Sequence, residues 1–450
     1  MKDQCNITSF VDELDHVDEI LTEISNLGRR TVATPLLKKD YSCFVEDDDR
    51  VLMLASARHI SALCKKGQLP SFELAGPRRD IYFDPAKTKC AVVTCGGLCP
   101  GINDVIRAIV MTLFYGYGVK PILGIKFGLR GFIPSYGLDV VELTPENVAR
   151  IHEYGGTILG SSRGPQPAEE IVNALERMNV SILFTIGGDG TFRASKKIVD
   201  EINSRGLKIA VIAIPKTIDN DIFLVSKTFG FDTAVEMACT AIKSAHTEAI
   251  GAPNGVGLVK LMGRYSGFIA AAASIALREV NYCLIPEDDF DLEGEKGLLA
   301  ELERRLERRG HAVIVVAEGA GQKYFADQPK ETDPSGNVKL GDIGKLLKDR
   351  ISEHFVSKGK EINVKYIDPS YIIRSVPANV DDSLYCGNLG QNAVHAAMAG
   401  KTDMMISLWN DRYVHIPLES ATLRRKQVNL KSRFWMSVLE STGQPSLKNE

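Results

Sequence analysis

The sequence predicts an α/β protein of two Rossmann-like parallel-sheet domains with helices on both faces, preceded by an N-terminal extension. Three observations carry this expectation. From Cys90 onward, short β-branched runs alternate with segments of helical period, the pattern of a parallel sheet covered on both sides. Glycine- and hydroxyl-rich turns follow several of those runs directly, where doubly wound sheets bind ligands beyond the strand carboxyl ends. At 450 residues the chain also exceeds one ordinary domain of roughly 100–200 residues.

In chain order, Phe10, Leu14, Val17, Leu21 and Ile24 recur at helical spacing and stop before Gly28, which predicts an amphipathic helix with a packing or contact face. A second helical run spans Val51–Lys66, and residues 1–88 read as an extension or small domain. Strands are predicted at Ala91–Thr94, Pro121–Ile125, Ile182–Ile186, Ile209–Ile214, Val256–Leu261, Tyr282–Ile285, Ala312–Ala317, Val364–Ile367 and Met404–Ser407. Helices between them include Asn103–Tyr115, Ala168–Met178, Thr233–His246, Gly294–Arg309, Gly341–Val356 and Leu384–Ala399. This divides the remainder into α/β domains at 89–230 and 231–430 and a tail at 431–450. The polar stretch Gly321–Lys339 reads as a surface loop, and Glu301 with Arg305 as a solvated i,i+4 pair.

Apolar residues at 44% and charged residues at 25% exclude a disordered chain. A formal net charge of -3 gives no field that would gather nucleic acid or anionic lipid, so an anionic ligand must be held locally. The longest nearly uncharged run, Ser266–Leu277, is well short of the ~20 residues that span a bilayer, so no membrane role is expected. The polar, acid-containing start fits neither a secretory signal nor a transit peptide. Nine scattered cysteines suggest reduced thiols in the cytoplasm. Cys90, Cys95 and Cys99 lack the spacing of a metal site, and His395 reads as a packed histidine.

Three turns carry the chemistry: Cys95–Gly101, Gly160–Gly164 and Gly187–Thr191. Glycine lets backbone approach a ligand, and the helix that follows aims free N–H groups at it, a combination suited to phosphate. Asp189, between glycines, is placed to share Mg²⁺ with phosphates or, alternatively, to cap a helix. Arg163 could clamp phosphate or form a surface ion pair. The stretch Ile214–Ile222 concentrates Lys216, Thr217, Asp219, Asn220 and Asp221 at a strand end. Phosphoryl transfer to an alcohol needs a carboxylate to accept the proton and cations to balance charge, and Asp219 and Lys216 are of those two types. Downstream, Met262-Gly263-Arg264, Glu318, Lys365, Tyr371 and Arg374 stand at further strand ends, where cations could hold a sugar phosphate.

These motifs (CGGLCPGIND, GSSRG, IGGDGT, PKTIDNDI, GFDTAVE, KLMGRYSGF, AEGAGQ and YIDPSYIIR) resemble 6-phosphofructokinases over about Lys89 to the low 430s, most nearly the long-chain ATP-using branch of trypanosomatids and spirochaetes. The resemblance implies transfer from MgATP to fructose 6-phosphate, with ATP in the 89–230 domain and the sugar phosphate in the 231–430 domain. It implies that Gly96, Gly97, Arg163, Gly164, Gly188, Gly190 and Thr191 surround the nucleotide, with Asp189 on the Mg²⁺ side. Asp219 would accept the proton of the sugar 1-hydroxyl, with Lys216 and Arg264 as catalytic cations and Thr217 and Ile218 beside the substrate. Met262, Gly263, Arg264, Glu318, Tyr371, Ile372, Ile373 and Arg374 match substrate positions, and a cation such as Lys365 would come from a neighbouring subunit of a homotetramer. In the pyrophosphate-using branch the glycine pair is followed by Asp-Asp and the loop proline by Lys. Here the deciding positions are Gly190 and Lys216, and Gly190 leaves room for a nucleotide α-phosphate, which favours ATP.

Overall fold

The computed structural model describes residues 19–39, 41–65, 69–329, 331–332 and 338–449. The strands that build its two main sheets are β1 (Arg50–Leu52), β2 (Ser71–Leu74), β3 (Cys90–Thr94), β4 (Ile122–Ile125), β5 (Val140–Glu142), β6 (Ile182–Gly187) and β7 (Ala210–Pro215). They continue with β8 (Gly255–Leu261), β9 (Tyr282–Leu284), β10 (His311–Ala317), β11 (Asn363–Ile367), β12 (Met404–Trp409) and β13 (Arg412–Pro417). The longer helices are α1 (Ala57–Lys65), α2 (Ile102–Met111), α3 (Ala168–Arg177), α4 (Asp189–Ser204) and α5 (Phe231–Ile250). After them come α6 (Phe268–Leu277), α7 (Leu298–Arg309), α8 (Ile343–Ser357), α9 (Val380–Met398) and α10 (Arg433–Thr442).

The larger sheet has nine strands in the order β1-β2-β13-β12-β7-β6-β3-β4-β5. Its centre, from β12 to β4, is parallel, and both flanks are antiparallel. The smaller sheet, β9-β10-β8-β11, has four strands, all parallel. β3, β6 and β7 read as unbroken apolar runs because helices bury both their faces. On one face of the large sheet, α3 and α4 cover Val93, Leu183 and Val211. On the other, α2, α5 and α9 fill one continuous core that reaches from Val92, Phe184 and Ile212 to Val259 and Val313 of the smaller sheet. The far face of the smaller sheet is closed by α7 and α8. The run Ser266–Leu277, too short for a membrane, contains the buried helix α6.

The topology departs from the expected boundaries. β1 and β2, from the stretch read as an N-terminal extension, hydrogen-bond into the large sheet, and β12 and β13 return to it from the stretch assigned to the second domain. The expected tail contains α10, whose Phe434 lies against Phe268 of α6, and Gln444 binds the Cys283 backbone through its side chain. Of the expected first helix, residues 10–18 lie outside the described residues; Leu21–Ile24 is not helical, and Ser25–Asn26 pairs with Lys401–Thr402. Among the described residues of the second run, Ala57–Lys65 is helical, whereas Arg50–Leu52 is an edge strand. The Gly321–Lys339 stretch holds a 3₁₀ turn at Gln322–Phe325. Glu301 pairs with Arg304, while Arg305 donates to the His311 carbonyl. His395 is buried and bonded to the Tyr117 hydroxyl at 2.8 Å, and burial lowers its pKa to about 4.

Candidate active site

β7, β6 and β3 are neighbours, so the turns at their carboxyl ends lie side by side. Gly96 has φ +87°, a conformation that favours glycine, and it is held from the Gly160–Gly164 turn by Gly96 N to Ser162 O at 3.0 Å and Ser161 Oγ to Gly96 O at 2.7 Å. A Cβ on Gly97 would stand 3.2 Å from Arg163 Nη2 and 3.4 Å from Arg374 Nη1, so two guanidinium groups converge on this glycine. Lys216 completes the ring of cations: its buried Nζ donates to Gly97 O at 2.7 Å. Burial lowers the proton affinity of this amine, and Asp219 works against that shift. Gly164 has φ +95° and turns the chain after Arg163.

Gly188 is the residue before α4 and carries no side-chain cap, so Asp189 is the first helical residue and not the N-cap. Its carboxylate pairs with Arg193 at 3.0 Å and Arg425 at 3.2 Å. Thr191 is buried, with its hydroxyl toward the Cys95 thiol. Gly190 is different: a Cβ there would meet nothing within 4 Å, and its φ is not positive. Neither packing nor backbone conformation requires glycine here, and glycine in a helix costs about 0.5–1 kcal/mol relative to alanine. The open side of Gly190 therefore faces space that a ligand can use.

The loop after β7 is held rigidly. Asp219 N donates to Thr217 Oγ1 at 3.1 Å, and Thr228 Oγ1 donates to Thr217 O at 2.7 Å. Asn220, at φ 54°, accepts from Thr228 N at 3.1 Å and Lys426 Nζ at 2.8 Å. Ile218 is buried beside them. Within this frame Asp219 Oδ1 is buried and has no hydrogen-bond partner. Burial, then the negative charges of Asp221 and Glu318, raise the Asp219 pKa to about 8 against the pull of Lys216 and Arg425.

The smaller sheet supplies the opposite wall. Gly263, at φ +131°, turns the chain after β8 so tightly that a Cβ would lie 2.5 Å from Ser266 O, and Ser266 Oγ donates to Asp219 O at 3.1 Å. Glu318 follows β10 and is tied to β8 by Glu318 N to Leu261 O at 2.9 Å. Burial raises the proton affinity of Glu318, while Arg264, Lys260 and Arg374 draw it down. Arg264 donates through Nη2 to Val338 O, and its Nε is buried without a partner. Met262 packs partly into the core. Arg374 lies 5.0 Å from the ring centre of the exposed Tyr371.

One expected substrate residue, Ile373, is placed elsewhere, and Lys365 lies apart from its own chain's cluster. Ile373 is wholly buried in the core, so its side chain is no ligand contact, whereas Ile372 is exposed. Lys365 points to Glu248 at the end of α5, at 3.9 Å, and not into its own chain's cluster.

A phosphofructokinase family model matches residues 89–397. The chain belongs to the phosphofructokinase family. A Borreliella burgdorferi protein named ATP-dependent 6-phosphofructokinase is 57% identical over 384 residues, covering 84% of this chain and 86% of that one. An Amycolatopsis methanolica protein of the same name is 50% identical over 443 residues, 96% of each chain. The solved pyrophosphate-dependent phosphofructokinase of Marinobacter aquaeolei is 18% identical and superposes with a TM-score of 0.65, covering 80% of this chain and 92% of that one, which shows a shared fold.

This phosphofructokinase also brings to the site residues that sequence reasoning left unnamed. Arg425 and Lys426, from the segment after β13, reach Asp189, Asp221 and Asn220. Arg130, on the turn after β4, has a buried Nε without a hydrogen-bond partner. Arg130 stands beside Gly131 in a turn after a strand, which is a sequence signal for a ligand-facing cation; the basic run Arg424-Arg425-Lys426 carries none, since it follows no glycine turn. Among the described residues, no group of three or more His, Cys, Asp or Glu side chains is arranged to hold a metal. A caged ion does not fit this site. A magnesium ion arriving with phosphates does, because such ions take one or two carboxylates and complete their shell with phosphate and water.

Proposed function

We propose that this chain transfers the terminal phosphoryl group of ATP to the 1-hydroxyl of fructose 6-phosphate, giving fructose 1,6-bisphosphate and ADP in glycolysis. The observation that carries this reading is Asp219 Oδ1, a buried carboxylate oxygen without a partner, between the cation-lined glycine turns and the Arg264 and Glu318 wall. An orphaned buried acceptor is costly in a folded protein, so its retention points to a proton it receives in the reaction.

Asp219 accepts the proton of the sugar 1-hydroxyl as that oxygen attacks the terminal phosphorus. The bond from phosphorus to the bridging oxygen breaks, and ADP leaves with the electron pair. Lys216, Arg163 and Arg374, gathered at Gly97, balance charge on the moving group. Arg264 and Glu318 hold the sugar phosphate and its hydroxyls, with Thr217, Ile218 and Gly263 shaping the cradle. Asp189 would hold Mg²⁺ together with the nucleotide's phosphates, and the ion would supply charge neutralisation. ATP is favoured over pyrophosphate by the unfilled space at Gly190.

The same reading includes a homotetramer. Support comes from Lys365, turned away from its own chain's cluster, and from the exposed apolar side chains of Val380 and Leu384, one turn apart on α9. It also places the protein in the cytoplasm, in keeping with free thiols at Cys90, Cys95, Cys99 and Cys283. The deciding experiment incubates the purified chain and fructose 6-phosphate with MgATP or with magnesium pyrophosphate. Product from MgATP is expected; turnover of pyrophosphate alone would overturn the donor assignment.

A further inference from the structure

After β13 the chain does not leave the site. Residues 422–428 run back across the mouth between the two sheets and are fixed to both. On the large-sheet side, Lys426 Nζ is buried and donates to Asn220 Oδ1 at 2.8 Å and Val225 O at 2.7 Å. On the other side, Gln427 Nε2 donates to Tyr265 O at 3.0 Å and Val428 N to Glu287 Oε1 at 2.8 Å. Arg425 immediately precedes these anchors. Its Nη2 is 3.2 Å from Asp189 Oδ2, its Nε 3.5 Å from Asp221 Oδ2, and its guanidinium carbon 3.9 Å from the centre of the Tyr265 ring.

These three contacts belong to three separate pieces of chain: the opening of α4, the loop after β7 and the turn after β8. A planar fork stacked on an aromatic face can hold two carboxylates at one spacing, which a flexible ammonium group does not do. We propose that Arg425 is a positioning residue for phosphoryl transfer, holding donor-side Asp189 and acceptor-side Asp221 in register and keeping positive charge beside the base. This rests on the function proposed above. The charged groups that face Asp219 are Asp221 and Glu318, both negative, and Lys216 and Arg425, both positive. Without Arg425, less positive charge opposes the two carboxylates, and Asp219 gives up its proton only at higher pH.

The test compares Arg425→Gln and Arg425→Lys with the parent, as full chains, with MgATP and fructose 6-phosphate from pH 6 to 9. For Arg425→Gln, kcat is expected to fall at least about tenfold with KM for fructose 6-phosphate within about twofold, and the acid limb of the rate profile to move to higher pH. Arg425→Lys is expected to restore the position of the limb, since charge returns, while kcat stays below the parent. An Arg425→Gln variant with parental kcat and an unmoved limb would overturn the proposal. Should that variant lose its fold, Tyr265→Leu carries the test: reduced kcat at a parental melting temperature supports the role, and parental kcat refutes it. A parent that transfers from neither MgATP nor pyrophosphate would overturn the functional reading and the proposal with it, a result distinct from an active parent with an unchanged variant.

Discussion

Two clusters of buried charge lie in the large-sheet region, and they are built on opposite terms. Under the antiparallel flank, both Glu73 oxygens are satisfied: Oε1 accepts from Arg78 at 2.8 Å and from His415 Nδ1 at 3.0 Å, and Oε2 from Lys401 at 2.8 Å. Burial pushes Glu73 up, but His415 and Lys401 outweigh it and bring its pKa down to about 2. At the carboxyl ends of the parallel strands, burial acts on Asp219 in the same direction, yet Oδ1 has no partner and like charges face it, so its pKa rises to about 8. The partnered carboxylate holds the fold together, whereas the unpartnered one is kept at a cost in stability, which identifies it as chemistry.

The largest test of this contrast exchanges the two carboxylates for amides. Asp219→Asn is expected to lower kcat by at least about a thousandfold while raising the melting temperature, because a strained buried acid is removed. Glu73→Gln should do the reverse, leaving activity per folded molecule near the parent but costing about 1–3 kcal/mol, since the buried Lys401 and Arg78 then share only the half-exposed Asp47 as counter-charge. Calorimetry and initial rates on both variants check the pair, and matching effects would erase the distinction.

A second test concerns the donor side. Gly190→Asp is expected to cut MgATP turnover by about a hundredfold, through repulsion and crowding at the nucleotide, with an unchanged melting temperature because its Cβ meets no protein atom. Rates with MgATP and with pyrophosphate, measured side by side, check it.

The pH behaviour sharpens the contrast further. Asp219 has a raised pKa, so below about 8 the ligand-free site holds a proton and activity climbs as pH rises through that range. Asp221→Asn removes a negative charge, lowers that pKa and should move the acid limb of kcat/KM to lower pH by about one unit. Glu73 carries the opposite sign: its lowered pKa contributes stability that is present above the unfolded carboxylate range near 4.5 and lost as pH falls toward about 2. Acid unfolding followed by circular dichroism should show this loss in the parent and a smaller one in Glu73→Gln.

Much of this was legible in the sequence, and the pattern of success has a physical cause. Parallel strands buried on both faces, such as Val92 and Phe184 at 0% exposure, read as continuous apolar runs, and glycine turns follow them by necessity where ligands meet backbone. The antiparallel flanking strands Arg50–Leu52, Ser71–Leu74 and Arg412–Pro417 were not legible, because short antiparallel strands carry mixed polar and apolar residues. Arg425 and Lys426 escaped because topology delivers them, by the return of β12 and β13 to the large sheet. Lys365 sits on a strand that does end at the site, yet its side chain leaves on the face toward α5.

The most direct test is to titrate the Asp219 carboxyl itself, by infrared difference spectroscopy of the full chain between pH 4 and 10 with Asp219→Asn as the reference. A carboxyl band that disappears near pH 8 is the expected result. A band already lost near pH 4 would show an ordinary, solvated carboxylate and contradict the account of a buried, unpartnered base.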